Sequence, residues 1–208
     1  MNILDLDAIT AAPTAQSPYP HFSLGGALKP ESIPSLMADF PAIAAPGFFP
    51  IDDVPVTGAF AALLQDLQDP AFSKAVGAKL GLDLAAHPTL ITVRKWSAAG
   101  DGRIHTDSTS KLATLLVYLN EAWTDTGEGR LRVLRSDKDF NDYTSEISPV
   151  VGSVFGFRRA ANSWHGHLPF TGERRVVQIT WLTDESKVVH KRRVGKFSRL
   201  MKRLNPFS

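Results

Sequence analysis

Two histidines and an aspartate in this chain have side chains that suit a metal centre. His105 and Asp107 are separated by one residue, and His165 follows far downstream. In an extended segment residues i and i+2 point to the same side, so His105 and Asp107 can reach one ion together. Two imidazoles and one carboxylate serve Fe(II) well and leave positions open for small ligands. The spacing therefore predicts an Fe(II) site that can also admit an oxo acid and O2.

The metal interpretation has a plainer alternative. A lone histidine before a strand is more often a surface or core residue than a ligand, so His105 with Asp107 proves little by itself. The distal ligand has two candidates, His165 and His167, which share a face if that segment is extended. The ten-residue step to Arg175 favours His165.

Two adjacent arginines offer the cation that an oxo acid needs for its far carboxylate. Arg174 and Arg175 open an apolar segment and point to opposite faces of it. Arg175 shares its face with Val177, Ile179 and Trp181, whereas the face of Arg174 is mixed. An arginine among apolar neighbours is costly to bury without an anion, which favours Arg175 as the anchor. The alternative is that both are ordinary surface arginines.

Composition limits the class of protein. The chain has 208 residues, 43% of them apolar, which is enough for one domain with a substantial core. It has no cysteine, which excludes disulfides, thiolate metal sites and cysteine nucleophiles. The acidic start of the chain lacks a signal-peptide pattern, and no apolar run is long enough to span a membrane. We expect a cytoplasmic protein, and the net charge of +2 predicts no general affinity for polyanions.

The order of periodic segments predicts an α+β chain that is mainly β. Residues 1–17 are expected to be loose, residues 18–184 to form a single domain, and residues 185–208 to form a basic amphipathic helix. Helix-like spacing precedes a run of short strands, which favours a β-sandwich or jelly roll with packing helices. The predicted helices cover 30–40, 59–67 and 71–80, and the predicted strands cover 22–24, 90–96, 112–119, 131–134, 153–157 and 175–181.

The C-terminal tail has a charge pattern of its own. From Lys187 to Arg203 there are eight basic residues and no acidic one. Such a helix could contact an anionic membrane surface, a nucleic acid or an acidic partner. A solvated helix docked on the domain is the alternative that we favour.

The stretch from about Thr92 to Trp181 resembles the 2-oxoglutarate- and Fe(II)-dependent oxygenases of the prolyl 4-hydroxylase-like branch, in the form of its bacterial members. Four blocks, in the family's order and at its spacing, account for the resemblance. They are 100–107 with the His-Thr-Asp motif, 115–120 followed by Trp123, 149–157, and 164–181 with Trp-His-Gly and the two arginines.

The resemblance implies a double-stranded β-helix, that is, a jelly roll, with helices on one side. It implies His105, Asp107 and His165 as iron ligands. It also implies that the basic residue about ten positions after the distal histidine, matched by Arg175, holds the far carboxylate of 2-oxoglutarate. Tyr118, Trp181 and Trp96 match positions beside that pocket. The implied requirements are Fe(II), 2-oxoglutarate and O2, and the family also allows ascorbate as an accessory.

The resemblance implies a hydroxylase that decarboxylates 2-oxoglutarate to succinate and CO2. The alternative is a jelly roll that binds or senses 2-oxoglutarate or metal without turnover, since this architecture hosts many functions. The substrate stays open among a prolyl residue, a free amino acid and a sugar or lipid intermediate. One departure is the segment 127–130, Gly-Glu-Gly-Arg, where the family usually has Gly-Gly; it touches no predicted ligand.

Overall fold

The computed structural model describes residues 1–124 and 126–188. The N-terminal half contains α1 (Leu6–Ala11), α2 (Ile33–Ala38), α3 (Gly58–Gln68) and α4 (Pro70–Leu80), with 3-10 turns at Pro30–Ser32 and Ile51–Asp53. The strands are β1 (Thr14–Ala15), β2 (His21–Leu24), β3 (Phe49–Pro50), β4 (Thr89–Ser97), β5 (Lys111–Tyr118), β6 (Leu131–Leu134), β7 (Tyr143–Ile147), β8 (Val154–Arg158), β9 (His165–Gly166) and β10 (Gly172–Leu182). Within the described residues, each helix is too short or too polar to cross a membrane.

The longer helices follow from local sequence. α4 begins with Pro70 after Asp69, whose carboxylate caps the helix by accepting from the Ala71 amide at 2.7 Å. It ends at Gly81, whose φ of 67° is the left-handed conformation that favours glycine. Apolar side chains at three- and four-residue spacing give α3 and α4 one buried face each.

The strands form two antiparallel sheets. The larger has the order β1-β2-β8-β5-β10-β4-β3, and the smaller has the order β7-β6-β9. Hydrophobic residues of β5, β8 and β10 pack against those of β6 and β7 between the sheets, while the other face of the large sheet packs against the helices. The architecture is the jelly roll with packing helices that the sequence predicts.

The predicted helices and strands are confirmed within a few residues of their ends, but the N-terminal expectation is wrong. Residues 6–11 form α1, and Leu4 and Ile9 are buried. The carboxylate of Asp66 accepts hydrogen bonds from the amides of Asn2 (3.0 Å), Ile3 (2.7 Å) and Leu4 (2.9 Å). This long-range contact fixes a segment whose composition alone suggests a loose end. The predicted basic helix at 185–208 lies outside the described residues beyond position 188.

Candidate active site

The three sequence-predicted metal ligands lie together between the two sheets. His105 and Asp107 lie in the loop between β4 and β5, and His165 lies on β9. One potential ligand atom from each residue lies within 4.8 Å of the other two. Of the two candidates for the distal ligand, His165 belongs to this cluster, so the choice over His167 agrees with the geometry.

The backbone pairs the two histidines. The His105 amide donates to the His165 carbonyl at 3.0 Å, and the His165 amide donates back to the His105 carbonyl at 3.0 Å. Their ring centroids are 4.3 Å apart. This reciprocal pair holds the loop and β9 in register, so that two residues 60 positions apart in the sequence present their imidazoles side by side.

The same ring nitrogen is engaged in both histidines. Nδ1 of His105 lies 2.8 Å from the Arg103 carbonyl, and Nδ1 of His165 lies 2.9 Å from the Ser163 carbonyl. Because a carbonyl oxygen only accepts, Nδ1 carries the proton and donates in each neutral ring. Nε2 is then left as a lone-pair donor, which is the form that binds a metal, and the carbonyl contact fixes the ring's orientation.

Asp107 is a buried carboxylate that is held ionised. Lys111 Nζ donates to its Oδ1 at 2.6 Å, and Thr114 Oγ1 donates to its Oδ2 at 2.6 Å. Burial alone would raise the pKa of Asp107, but the charge of Lys111 and the hydrogen bonds from Lys111 and Thr114 lower that pKa to about 2. The group is therefore an anion at neutral pH.

His165 is held neutral. Burial lowers its pKa to about 4, and the opposing effect of Asp107 is smaller. Two imidazoles and one carboxylate, all lining one cavity, are the donor set that fits Fe(II). The residues present therefore fit the metal that the sequence predicts.

A cavity of about 300 Å³ extends from this cluster. Its walls combine apolar side chains with several cations, so it suits an anionic ligand better than an apolar one. The lining residues are Phe48, Arg94, Gly102, His105, Asp107, Lys111, Thr114, Leu116, Leu131, Phe157, His165, Gly166, His167, Arg174 and Gln178.

Arg174 provides a buried cation in the cavity wall. Its side chain is 3% exposed, and its Nε donates to the Gly129 carbonyl at 2.9 Å. Its Nη2 lies 3.4 Å from the hydroxyl of Tyr118, a contact at the long end of hydrogen-bond range. Burial raises the pKa of Tyr118, so this hydroxyl keeps its proton and can donate it to an anion.

Arg175 does not line the cavity, and the expectation that it does is wrong. Its side chain lies on the helix side of the large sheet, over the ring of Phe40 at 5.1 Å, and pairs with Glu173. The strand parity is as predicted, but the apolar face of β10 is the one covered by the helices. A wall that binds a dianion must carry polar groups, so the mixed face, with Arg174 and Gln178, is the face that lines the cavity.

Two tryptophans assigned to the pocket lie elsewhere. Trp181 stacks on Phe72, with 6.1 Å between ring centroids, and donates to the Ser73 hydroxyl at 3.0 Å in the core beneath the helices. Trp96 donates its Nε1–H to the Ile43 carbonyl at 2.7 Å. Neither lines the cavity, so the expectation for both is wrong. Tyr118 adjoins the pocket, since its hydroxyl lies 3.4 Å from Nη2 of the lining residue Arg174.

His167 fills a space that a glycine leaves open. Gly102 has a φ of 78°, and a Cβ built on it would lie 2.3 Å from the His167 ring. The His167 amide also donates to the Gly102 carbonyl at 2.8 Å. The glycine is therefore required both by its backbone conformation and by the ring that packs against it.

Sequence reasoning missed Arg94, Lys111 and Phe48, which also line the cavity. The strand alternation contained the signal for Arg94, since it alternates with the core residues Ile91 and Val93 on β4. Lys111 is four residues after Asp107, a spacing that could have suggested a charge pair. Phe48 lies in an irregular segment before β3, where no local pattern indicates a cavity.

Comparison with known proteins agrees with this site. Residues 92–183, from β4 to the end of β10, match the 2OG-Fe(II) oxygenase superfamily. This stretch is therefore similar to a superfamily of oxygenases that is named for its use of 2-oxoglutarate and Fe(II). None of the curated proteins matches the chain.

Solved structures of prolyl hydroxylases share the fold. A prolyl-4-hydroxylase of Pseudomonas putida is 17% identical, with a TM-score of 0.58 over 85% of this chain and 96% of that one. A prolyl 4-hydroxylase of Phytophthora capsici is 17% identical, with a TM-score of 0.53 over 78% of this chain and 58% of that one. A prolyl hydroxylase of Trichoplax adhaerens, in complex with a hypoxia inducible factor peptide fragment, is 13% identical, with a TM-score of 0.50 over 89% of this chain and 90% of that one.

Proposed function

We propose that this protein is an Fe(II)- and 2-oxoglutarate-dependent dioxygenase that hydroxylates its substrate. One oxygen atom of O2 would enter succinate as 2-oxoglutarate loses CO2, and the other would enter the product as a hydroxyl group. The observation that carries the proposal is that one cavity contains both the His105, Asp107 and His165 cluster and the buried cation of Arg174.

The protein would supply position and protection. His105, Asp107 and His165 would hold Fe(II), and bound Fe(II) supplies the open coordination positions and redox chemistry that the reaction needs. The carbonyl contacts of both Nδ1 atoms keep Nε2 available, while Thr114 and Lys111 orient the Asp107 carboxylate.

Arg174 replaces Arg175 in the proposal as the anchor of the far carboxylate of 2-oxoglutarate. A guanidinium is always charged and can bind a carboxylate at two points. Its Nε is already bonded to the Gly129 carbonyl, which fixes the plane of the group. Tyr118, which stays protonated, can donate a further hydrogen bond to the same carboxylate.

The substrate class is a separate question, since the likeness to prolyl hydroxylases shows the fold. We propose prolyl-containing peptides as the first class to assay, because the similar structures are prolyl hydroxylases. Free amino acids and sugar or lipid intermediates complete the panel. The test measures succinate released from 2-oxoglutarate with each candidate, together with a mass gain of one oxygen atom in the candidate.

The competing function is a sensor that binds 2-oxoglutarate and metal without turnover. Substrate-dependent succinate release in the wild type, lost in His165→Ala, supports the enzyme. The sensor would be favoured if the wild type binds the oxo acid but releases no more succinate than His165→Ala does with any candidate substrate. A cytoplasmic location and a contact of the basic tail with an anionic partner stay predictions.

A further inference from the structure

A second guanidinium lines the cavity and has no assigned role. Arg94, on β4, is 8% exposed, and its Nε has no hydrogen-bond partner among the described residues. Its Nη2 forms an ion pair with Asp101 at 3.4 Å, and its guanidinium lies 4.1 Å from the centroid of the Phe48 ring. The group is thus held in place while part of its donor capacity is unused.

The sheet places Arg94 beside the proposed anchor. Val176 of β10 pairs with Arg94 on one side and with Tyr118 on the other. Neighbouring strands lie about 4.8 Å apart, so these three residues form one row across the sheet. Arg174 lies on the central strand of the row, two residues before Val176 and within a β-bulge between Glu173 and Val176. Its side chain and that of Arg94 line the same cavity, so both lie on the same face of the sheet. Arg94 and Tyr118 therefore flank Arg174 from opposite sides.

Charge supports the same grouping. Burial lowers the pKa of Arg94 to about 10, with Asp101 opposing the shift and Arg174 adding to it. Arg94 thus remains charged at neutral pH. Lys111, by contrast, acts on Asp107 and His165, at the metal end of the cavity. The cavity therefore has two ends, one with the metal ligands and one with two arginines.

Two buried guanidiniums with one carboxylate leave a net positive charge at the arginine end. Like charges that share a buried site are unfavourable unless an anion lies between them. One further carboxylate would neutralise this end of the cavity. We propose that Arg94 and Arg174 together hold the far carboxylate of the oxo acid, so that this protein uses a pair of guanidiniums where one would serve. The inference rests on the proposed function and adds a second cosubstrate-binding residue to it.

The test compares two oxo acids that differ only at the far end. 2-Oxoglutarate has the far carboxylate, and 2-oxovalerate, with the same five-carbon chain, lacks it. The dissociation constant of each is measured anaerobically with Fe(II), by calorimetry and by the visible absorbance of the complex. The variants are Arg94→Gln, Arg94→Lys and Arg174→Gln, and Lys95→Gln is the matched control, since it removes one charge from the opposite face of the same strand.

Arg94→Gln should weaken the binding of 2-oxoglutarate by about tenfold, which is the effect of losing one charged hydrogen bond, and should leave the binding of 2-oxovalerate unchanged. Arg94→Lys should recover part of that loss, and Lys95→Gln should bind both acids as the wild type does. If thermal unfolding shows that Arg94→Gln does not fold, the Arg94→Lys variant is used in its place. It must then weaken the binding of 2-oxoglutarate and not that of 2-oxovalerate.

Two results overturn the inference while leaving the proposed function intact. In the first, the Arg94→Gln variant binds 2-oxoglutarate as tightly as the wild type does, while the Arg174→Gln variant no longer binds it. In the second, the Arg94→Gln variant loses the same affinity for both oxo acids, which would mean that Arg94 acts by supporting the cavity wall. A wild-type protein that binds neither acid would refute the proposed function and the inference together.

Discussion

Arg174 and Arg175 are adjacent on β10, yet their guanidinium groups lie on opposite faces of the large sheet. Arg174 is buried in the cavity wall beside Tyr118, and Arg175 lies over Phe40 on the helix side. The Arg175 amide donates to Asn120 Oδ1 at 2.7 Å, so its backbone is held independently of its side chain. One position along the strand thus separates a cation that lines the cavity from one that packs on the helix side.

Arg174→Gln should raise the dissociation constant of 2-oxoglutarate by at least about tenfold, because a charged partner of the carboxylate is lost. Arg175→Gln should leave it unchanged, because it removes a partly exposed ion pair with Glu173 and a contact with Phe40, both outside the cavity. Calorimetric titration of both variants checks this. Equal effects in the two variants would show that the wrong face has been assigned to the ligand.

Tyr118→Phe removes the hydroxyl that contacts Arg174 and keeps the ring in the core between the sheets. We expect a loss of 2-oxoglutarate affinity of about fivefold, from one hydrogen bond worth about 1 kcal/mol, with the affinity for Fe(II) unchanged. Separate titrations of metal and oxo acid measure the two effects. A fall in metal affinity with no change for the oxo acid would contradict the role given to Tyr118.

Thr114→Val removes the hydroxyl that donates to Asp107 Oδ2. Groups that orient a metal ligand typically contribute 10- to 100-fold to affinity, so we expect a loss of about tenfold for Fe(II). Thr92→Val is the matched control, since the buried Thr92 hydroxyl has no hydrogen-bond partner among the described residues. That control should bind Fe(II) normally. Similar losses in both variants would mean that general packing, and not the Asp107 contact, sets the affinity.

Gly102→Ala should destabilise the wall of the cavity. The φ of 78° would cost an alanine about 1–2 kcal/mol, and its Cβ would displace the His167 ring. For a chain of this size each kcal/mol lowers Tm by roughly 2–4 °C. Gly100→Ala is the control, because its Cβ would meet nothing closer than Arg103 Nη2 at 4.0 Å. If the two substitutions lower Tm by the same amount, Gly102 has no special role in the cavity wall.

The strands that carry the site could be predicted because their sequences alternate clearly. β4, β5 and β10 follow from apolar periodicity, and the opposite orientation of Arg174 and Arg175 follows from strand geometry. Which face lines the cavity could not be predicted from one strand. The apolar face of β10 indicated a buried environment correctly, but that environment is the core beneath the helices.

Other errors arose from contacts between distant parts of the chain. Residues 2–4, just before α1, are held by Asp66, more than 60 residues away in sequence, so the composition of residues 1–17 could not reveal this contact. β7 could not be predicted because its Tyr143–Ile147 segment is polar and half-exposed, and among the described strands it pairs with β6 alone. The position of Phe48 in the cavity likewise depends on tertiary packing and not on a local pattern.

The most direct test of the account is an anaerobic titration of the protein with Fe(II) in the presence of 2-oxoglutarate. The wild type should develop the weak visible charge-transfer band of a chelated oxo acid, and His165→Ala should not. His87→Ala, which removes a histidine outside the metal cluster, should retain the band. Absence of the band in the wild type, or its persistence in His165→Ala, would contradict the account.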